Sequence, residues 1–243
     1  MTPTQSIKIF LDKGPAYLSS VSVDCVIFGF HEGQLKVLLM EFNNTKAFAL
    51  LGGFVFKNES TDEAASRILR ERTGANDIYL EQFYTFGEPN RGNWDVHKAT
   101  MAAHGFQLES SHWLLQRFIT IGYYALVDFS KVKPTPDIFA DVGDWYDIDQ
   151  IPDLILDHNQ IIVKALDTLR LVLDYKLVVF NLLSDTFTMN ELQSLYETIL
   201  GKKLLRANFQ RKILSMDILE RVEKKITGKA HKPPFVYRIK RNK

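Results

Sequence analysis

Apolar positions in the first two thirds of the chain follow the short period of β-strands. Residues 21–30 and 35–42 are almost continuously apolar, and the polar stretch HEGQ at 31–34 separates them. Two such runs joined by a short turn that contains glycine predict a β-hairpin. The same reasoning predicts further strands at 48–51, 78–86, 117–127 and 142–148.

Two helices are predicted in this part of the chain. The first covers 62–72 and follows a capping residue, Ser60 or Thr61. Its apolar residues recur at helical spacing, so Ile68 is expected to face the sheet. The second is predicted to start at Ile151 and Pro152, with an apolar side formed by Ile161, Ile162, Ala165, Leu169, Leu171 and Val172.

Asp157 and His158 lie early in the second predicted helix. A carboxylate beside an imidazole admits an acid/base pair as one interpretation. Neighbouring residues on a helix point apart, however, which favours a capping role or a core hydrogen bond.

The last third of the chain has a different order of elements. Thr188 and Glu191 form a capping box, and Gly201 is typical of a left-handed helix end. A second helix is predicted at 206–216, and two strands at 218–224 and 235–240 flank a basic loop. Helix, turn, helix and hairpin in this order predict a winged helix.

Composition sets the broad class. The chain has 243 residues, of which 46% are hydrophobic, an ordinary value for a globular protein. Its one cysteine, Cys25, excludes a disulfide framework and a thiol metal cluster. The N-terminus lacks the pattern of a signal peptide, and no apolar run is long enough to cross a membrane. These features predict a cytoplasmic protein with no membrane partner.

Charge is divided unevenly along the chain. Residues 1–177 hold 16 Lys and Arg against 23 Asp and Glu, whereas residues 178–243 hold 14 against 6. A small basic module attached to a larger acidic one is the charge pattern of a nucleic-acid binder. Surface lysines that only improve solubility are the alternative, but they would not be segregated in this way.

The outer side of the second helix in that module carries residue types that read DNA bases. Arg pairs with guanine, and Asn or Gln pairs with adenine, in the major groove of B-DNA. Lysines in the turn and the wing loop would contact phosphate. The predicted DNA-binding residues are Lys203, Arg206, Asn208, Gln210, Arg211, Lys212, Lys229, His231 and Lys232.

Residues 52–75, GGFVFKNESTDEAASRILRERTGA, place a glycine turn before an acidic helix. The stretch resembles the Nudix box, G-x5-E-x7-R-E-U-x-E-E-x-G-U, in which U is a bulky apolar residue. Gly53, Glu59, Arg67, Glu71 and Gly74, together with Leu69, match this pattern in register. The pattern has glutamates at the two positions that Ile68 and Arg72 occupy here.

The resemblance implies a domain shaped for diphosphate compounds but without its catalytic centre. In Nudix enzymes these glutamates hold the divalent cations that clamp the diphosphate and polarise water. With Ile68 and Arg72 in their place, we predict no catalytic residue, no metal site, no cofactor and no hydrolase turnover. The candidate ligand-binding residues are Phe48, Glu59, Arg67, Glu71 and Arg91.

About thirty residues at 87–116 separate two predicted strands, which is long for a compact domain. The stretch carries His97, His104 and His112, besides Trp94 and Trp113. Three histidines admit a metal site, but their spacing matches no compact zinc motif. A lid over a ligand, a contact with a partner and a solvated loop are the other interpretations.

The two halves together resemble Nudix-related transcriptional regulators, in which a degenerate Nudix domain precedes a winged helix. The resemblance covers roughly residues 21–239. It implies an α+β fold, with a Nudix α/β/α sandwich and mixed sheet at 1–153, a connecting helix at 154–178 and a winged helix at 179–243. It also implies a homodimer on a double-stranded DNA operator.

A small-molecule effector is expected to control operator binding. The family includes regulators that sense ADP-ribose or nucleotide sugars and regulators of sugar utilisation. The GF-x-EG hairpin and the QSLYE helix favour the sugar branch, with an effector such as arabinose and a role in carbohydrate metabolism. The alternative is an active Nudix hydrolase of a nucleoside diphosphate derivative.

Overall fold

A computed structural model describes residues 2–42, 47–74, 78–91, 95–132, 134–135, 140–173, 176–224 and 234–240. The strands are β1 Tyr17–His31, β2 Gln34–Phe42, β3 Phe48–Ala49, β4 Leu51–Phe56, β5 Tyr79–Phe86, β6 Ile119–Val127, β7 Ala140–Asp147, β8 Phe187–Thr188, β9 Leu219–Lys224 and β10 Phe235–Ile239. The helices are α1 Pro3–Asp12, α2 Thr61–Thr73, α3 Asp95–Ala103, α4 His158–Val172, α5 Met189–Leu200 and α6 Arg206–Ser215. Short 3-10 turns lie at Gly14–Ala16, Trp113–Leu115, Phe129–Lys131, Ile148–Gln150 and Leu177–Leu182.

The larger sheet is mixed, as the sequence predicted. β1 lies near its centre, runs parallel to β6 and pairs antiparallel with β2 and β4. β5 joins the outer side of β6, while β3 and β7 both pair with β2. The predicted hairpin of β1 and β2 turns at 32–33, where Gly33 has a positive φ of 80°.

Alternation along β1 builds two cores, one on each face of this sheet. Val23, Cys25 and Ile27 pack with α2, whose Ile68 is only 2% exposed. Val26 and Phe28 point to the other face, where they pack with α4 and the C-terminal helices. The sheet is therefore covered by helices on both sides, which is the predicted α/β/α sandwich.

The capping signals read from the sequence act as predicted. Ser60 and Glu63 form a capping box at the start of α2, and Thr188 and Glu191 form one at the start of α5. Gly201 ends α5 in the left-handed region with φ of 65°. A three-stranded sheet in the order β8, β10, β9 then packs with α5 and α6 as a winged helix.

Two predictions about α4 were wrong. The helix begins at His158, not at Ile151, because the preceding backbone is held in an irregular form. The Asn159 side chain accepts the Leu154 N–H at 2.8 Å and donates to the Pro152 carbonyl at 2.9 Å. Leu171 was placed on the apolar side, but it is 75% exposed. No helix in the described ranges is both long and apolar enough to cross a bilayer.

Candidate functional site

A cavity of about 390 Å³ opens beside Gly52 and Gly53. The sequence analysis placed these glycines in a turn, but they lie in strand β4 and pair with Asp24 and Val23 of β1. The walls of the cavity come from β1, β4 and α2 of the sandwich, from α1 and α3, and from the residues at the start of α4. Cavities of this size suit small-molecule ligands. The sequence pattern predicted a ligand site here from the box, but it did not show that α1 forms part of the wall.

The two glycines of β4 are required by close packing. A Cβ on Gly52 would lie 2.2 Å from Oδ1 of Asp24, and one on Gly53 would lie 2.9 Å from Cδ1 of Ile68. Their absence of side chains lets β4 pass directly over a buried carboxylate and against α2. This part of β4 and helix α2 therefore lie on the same side of the cavity.

The long segment at 87–116 that separates β5 from β6 is called the insertion. A buried ion cluster lies where the insertion meets the start of α4. Arg91 donates to both carboxylate oxygens of Asp157, with Nε–Oδ2 and Nη2–Oδ1 distances of 2.7 Å. Its Nη1 donates to the Phe118 carbonyl at 3.2 Å, and Asp24 lies 3.8 Å from Nη2. A bidentate guanidinium pair of this kind satisfies two charges that burial would otherwise penalise. This pairing favours the core interpretation of Asp157 over the acid/base one.

His158 completes this cluster as a neutral imidazole. Its Nδ1 accepts the Leu50 N–H at 3.0 Å, so its proton lies on Nε2, 3.8 Å from Oδ1 of Asp24. Burial lowers the pKa of His158 below its ordinary value, against the attraction of the nearby carboxylates. The hydrogen bond to the backbone shows that the core interpretation of this residue is correct.

The histidines of the insertion are not gathered around one point. His97 lines the cavity, and burial followed by repulsion from His158 lowers its pKa to about 4. His104 bonds through Nδ1 to the Thr100 carbonyl at 2.8 Å, and Nδ1 of His112 accepts the Leu114 N–H at 3.3 Å. Among the described residues, no three His, Cys, Asp or Glu side chains are placed to hold a metal ion.

The insertion packs down onto the cavity. Trp113 donates from Nε1 to the Leu11 carbonyl of α1 at 3.0 Å, and Met101 and Leu114 are buried with Ile7 of α1. Thr100 is 2% exposed and lines the cavity, and its hydroxyl has no hydrogen-bond partner in the described part of the chain. The insertion is thus a wall of the cavity. Trp94 lies outside the described residues.

Aromatic rings form one side of the same cavity. Phe54 lies edge-on to Trp113 with ring centroids 4.9 Å apart, and Phe118 lies 5.1 Å from Phe54. Phe10 and Tyr17 complete the cluster and also line the cavity. Faces and edges of such rings offer stacking contacts to a flat heterocycle.

Arg67 organises the remaining box residues. It donates to both oxygens of Glu59 at 3.0 and 2.6 Å and to the Phe54 carbonyl at 2.9 Å. Its Nη1 lies 3.5 Å from Glu71, whose side chain is 57% exposed. The Arg67 guanidinium over the Phe56 ring adds a cation–π contact at 4.6 Å. Two of the box carboxylates are thus engaged by an arginine.

The divalent-cation site that the Nudix resemblance implies does not fit these residues. Ile68 is buried in the core beneath Gly53, and Arg72 brings a guanidinium to the cavity wall. Glu59 is held by Arg67, so Glu71 is the carboxylate that remains at the matched glutamate positions of the box pattern. A hard cation needs several oxygen ligands, which this arrangement does not provide.

The five predicted ligand-binding residues have different positions. Arg67, Glu71 and Arg91 line the cavity, although Arg91 is 5% exposed and committed to Asp157. Glu59 accepts hydrogen bonds from Arg67 and so positions that side chain. The Phe48 ring packs edge-on against the Tyr146 ring, with centroids 5.5 Å apart. The sequence analysis did not select Asp24 or Thr100, and it named His97 only as part of a possible metal site. Asp24 carried a signal, since it is a lone carboxylate inside an apolar strand.

The side of α6 that is predicted to contact DNA bases is exposed to solvent. Arg206, Asn208 and Arg211 are exposed on α6, and Arg211 donates from Nη2 to Oδ1 of Asn208 at 3.0 Å. Phe209 and Ile213, on the opposite side, are buried against α5. This division allows α6 to enter a groove without disturbing its own packing.

The other predicted DNA contacts surround this face. Lys212 is exposed, Gln210 is half-buried, and Lys203 pairs with Glu197 at 2.9 Å with its side chain 92% exposed. Lys229, His231 and Lys232 of the wing loop lie outside the described residues.

Helix α4 connects the cavity to the winged helix. It starts at the ion cluster, and its last turns contact α5 through two hydrogen bonds. Arg170 donates from Nε to the Ile199 carbonyl at 2.8 Å, and Tyr196 donates to the Leu173 carbonyl at 3.4 Å. A third link joins Thr198 of α5 to the carbonyl of Gly33 at 2.9 Å. The two modules share one continuous apolar core.

Comparison with known proteins decides the family. A family model described as the NrtR DNA-binding winged helix domain matches residues 179–239. The chain in the crystal structure of Shewanella oneidensis NrtR has 30% sequence identity to this chain. The match covers 91% of this chain and 94% of the NrtR chain, with a TM-score of 0.69. The chain belongs to the NrtR family of Nudix-fold regulators with a C-terminal winged helix. It is therefore a DNA-binding protein of transcription regulation.

A second structure of Shewanella oneidensis NrtR and one further relative are also similar to the chain. The same Shewanella oneidensis NrtR in complex with a 27mer DNA is 28% identical over 90% of this chain and 93% of its own, with a TM-score of 0.69. An ADPR responsive transcriptional repressor NtrR of Acinetobacter baylyi is 29% identical over 229 residues, which is 90% of this chain and 81% of the relative. The comparisons confirm the predicted regulator family and fold, but they lend no support to the sugar branch. The domain boundaries at 153 and 178 remain predictions.

Proposed function

We propose that this chain is a transcriptional repressor whose operator binding responds to ADP-ribose or a closely related nucleoside diphosphate sugar, without hydrolysing it. The proposal rests mainly on one observation. The same chain has a cavity with aromatic and cationic walls and a winged helix with exposed cations. The family relationship supports the direction of control, because the Acinetobacter relative is described as an ADPR responsive repressor.

The cavity favours a nucleotide over a free sugar. Phe10, Tyr17, Phe54 and Phe118 supply rings for an adenine base, which a pentose such as arabinose lacks. The buried Thr100 hydroxyl is available for a polar group of the ligand. A free pentose would leave the aromatic side of this cavity without a partner.

DNA recognition is assigned to α6 and its surroundings. Arg206, Asn208 and Arg211 are proposed to contact base edges, while Gln210 lies at the margin of that face. Lys203 and Lys212 are proposed to contact phosphate, as are the wing residues Lys229, His231 and Lys232. A homodimer is part of the proposal, since twofold operators are bound by two recognition helices about one helical turn apart.

Binding of the chain to a duplex from its own upstream region tests the proposal. Fluorescence anisotropy should show tighter binding to this duplex than to a scrambled one, and added ADP-ribose should change the affinity while arabinose should not. Sedimentation of the complex gives the number of protomers. Equal, weak binding to both duplexes would reject the regulator function, and a response to arabinose alone would reject the effector.

The alternative function is an active Nudix hydrolase, which the retained Glu59, Arg67 and Glu71 favour. It predicts Mg²⁺-dependent release of AMP from ADP-ribose well above the background rate. We expect no such release, because neither Ile68 nor Arg72 can bind a cation that would polarise the attacking water.

A further inference from the structure

The two carboxylates of the buried ion cluster differ in their hydrogen bonding. Both oxygens of Asp157 accept from Arg91 at 2.7 Å. Asp24 has longer contacts: Nη2 of Arg91 lies 3.8 Å from its Oδ2, and Nε2 of His158 lies 3.8 Å from its Oδ1. Both distances exceed that of a hydrogen bond, and no donor among the described residues comes closer to this carboxylate. Asp24 therefore has polar neighbours but retains its capacity to accept hydrogen bonds.

The position of Asp24 places that capacity at the cavity. The residue is 7% exposed and lines the cavity beside Gly52, whereas Asp157 is not one of the described residues that line it. Because His158 is neutral, the cluster holds two carboxylates against the single guanidinium of Arg91, which leaves an excess of negative charge. A buried carboxylate is stabilised by a donor that comes within hydrogen-bond distance.

We propose that Asp24 recognises a ribose of the effector by accepting hydrogen bonds from its vicinal hydroxyl groups. This inference rests on the proposed function, because it names the residue that selects the effector in the same cavity. The same carboxylate keeps the phosphates of the effector away from this part of the cavity.

The chemistry of the side chain fits this role. An ionised carboxylate has two acceptor oxygens and no donor, so it matches the two neighbouring donors of a ribose diol. An acidic side chain contacts ribose hydroxyls in the same way in dinucleotide-binding folds. A phosphate group brings negative charge and acceptors, which a carboxylate repels. A ligand that lacks the hydroxyl leaves a buried acceptor unsatisfied, and this makes the contact selective.

Calorimetry of ADP-ribose binding to the Asp24→Asn variant tests the inference. The variant keeps the shape of the side chain but removes its charge and replaces one acceptor oxygen by a donor. It should bind ADP-ribose about 10- to 100-fold more weakly, the range expected for the loss of hydrogen bonds to a charged group. Asp149→Asn is the control for loss of an exposed carboxylate outside the cavity, and it should bind like the unmodified protein. Thermal unfolding and operator binding without ligand report that each variant is folded.

A ligand series separates recognition of ribose from a general effect on the cavity. ADP lacks the terminal ribose of ADP-ribose, and ADP-ribose 2′-phosphate carries a phosphate in place of a hydroxyl hydrogen on the ribose next to adenine. If Asp24 contacts the terminal ribose, Asp24→Asn should weaken ADP-ribose and its 2′-phosphate but not ADP. If it contacts the ribose next to adenine, the variant should weaken ADP-ribose and ADP but not the 2′-phosphate. Either pattern supports the inference and identifies the ribose.

The other results overturn the inference. An equal loss for all three ligands would show that Asp24 contacts the adenine amino group, which they share, or only shapes the cavity. Unchanged binding of ADP-ribose by a folded Asp24→Asn variant would overturn the role of Asp24 while the proposed function stands. Absence of ADP-ribose binding by the unmodified protein would overturn the proposed effector, and this inference with it.

Discussion

The cavity and the recognition face of α6 both carry arginines, but they use them in opposite ways. Arg91 is almost fully buried and bound by a carboxylate of the same chain, whereas Arg206 and Arg211 are exposed. Burial of a charge is costly unless a partner is supplied, so Arg91 is largely a structural element. An exposed cation is solvated in the free protein and remains available for the phosphates and bases of DNA. Residue type alone therefore does not separate the two roles.

The largest expected effect comes from breaking the buried pair. Asp157→Asn should lower the free energy of unfolding by about 3–5 kcal/mol, because it removes the carboxylate that binds the buried Arg91 charge at both ends and leaves the more distant Asp24. Denaturant unfolding measures the loss. Asp167→Asn on the same helix is the control, since its contact with Arg170 is exposed and should contribute less than about 1 kcal/mol. Similar losses for both variants would contradict the distinction between buried and exposed pairs.

The next effect belongs to the exposed face. Arg211→Ala should weaken binding to the upstream duplex by about 1–3 kcal/mol and reduce the preference over scrambled DNA, because a base contact is lost. Its thermal stability should stay close to that of the unmodified protein. Anisotropy titrations with both duplexes make the measurement. A loss of equal size on both duplexes would assign Arg211 to phosphate contact instead.

The pH dependence of stability should differ between a buried histidine of the cavity and an exposed histidine. The pKa of His97 is about 4 in the folded chain against 6.5 ordinarily, so the unfolded state binds the proton first as the pH falls. Stability should therefore be retained above about pH 6.5 and lost towards pH 4, at most by about 1.4 kcal/mol per pH unit for this group. His97→Gln should reduce this slope in chemical unfolding. His31→Gln, at an exposed position, should leave the slope unchanged.

The smallest effect concerns a single exposed lysine. Lys203→Ala should weaken binding of every duplex alike and reduce the slope of log affinity against log salt by about 0.9, the value for one phosphate contact. Binding measured over a range of salt concentrations gives the slope. Lys8→Ala on α1 is the control for an exposed lysine outside the winged helix. A change in sequence preference with Lys203→Ala would contradict its assignment to phosphate.

Local patterns in the sequence determined much of this protein. The β1 and β2 hairpin, the capped helices α2 and α5, the winged-helix order and the buried position of Ile68 all follow from periodicity and capping, which act over a few neighbouring residues. The Nudix box and the charge division indicated the family for the same reason. These features need no knowledge of distant contacts.

Only the tertiary structure decided which charged side chains are paired within the fold and which can bind a ligand or DNA. Arg91 and Asp157 are 66 residues apart in the chain, and Asp24 and His158 are farther apart still, so no local pattern connects them. Contacts that form only in the folded chain also build the cavity wall from α1 and the insertion. Such contacts likewise set the start of α4 at His158. Sequence determined which side chains can carry charge or bind DNA. Long-range packing determined whether each one is compensated within the fold or left for a ligand, because the energy of a charge depends on its burial and on its neighbours.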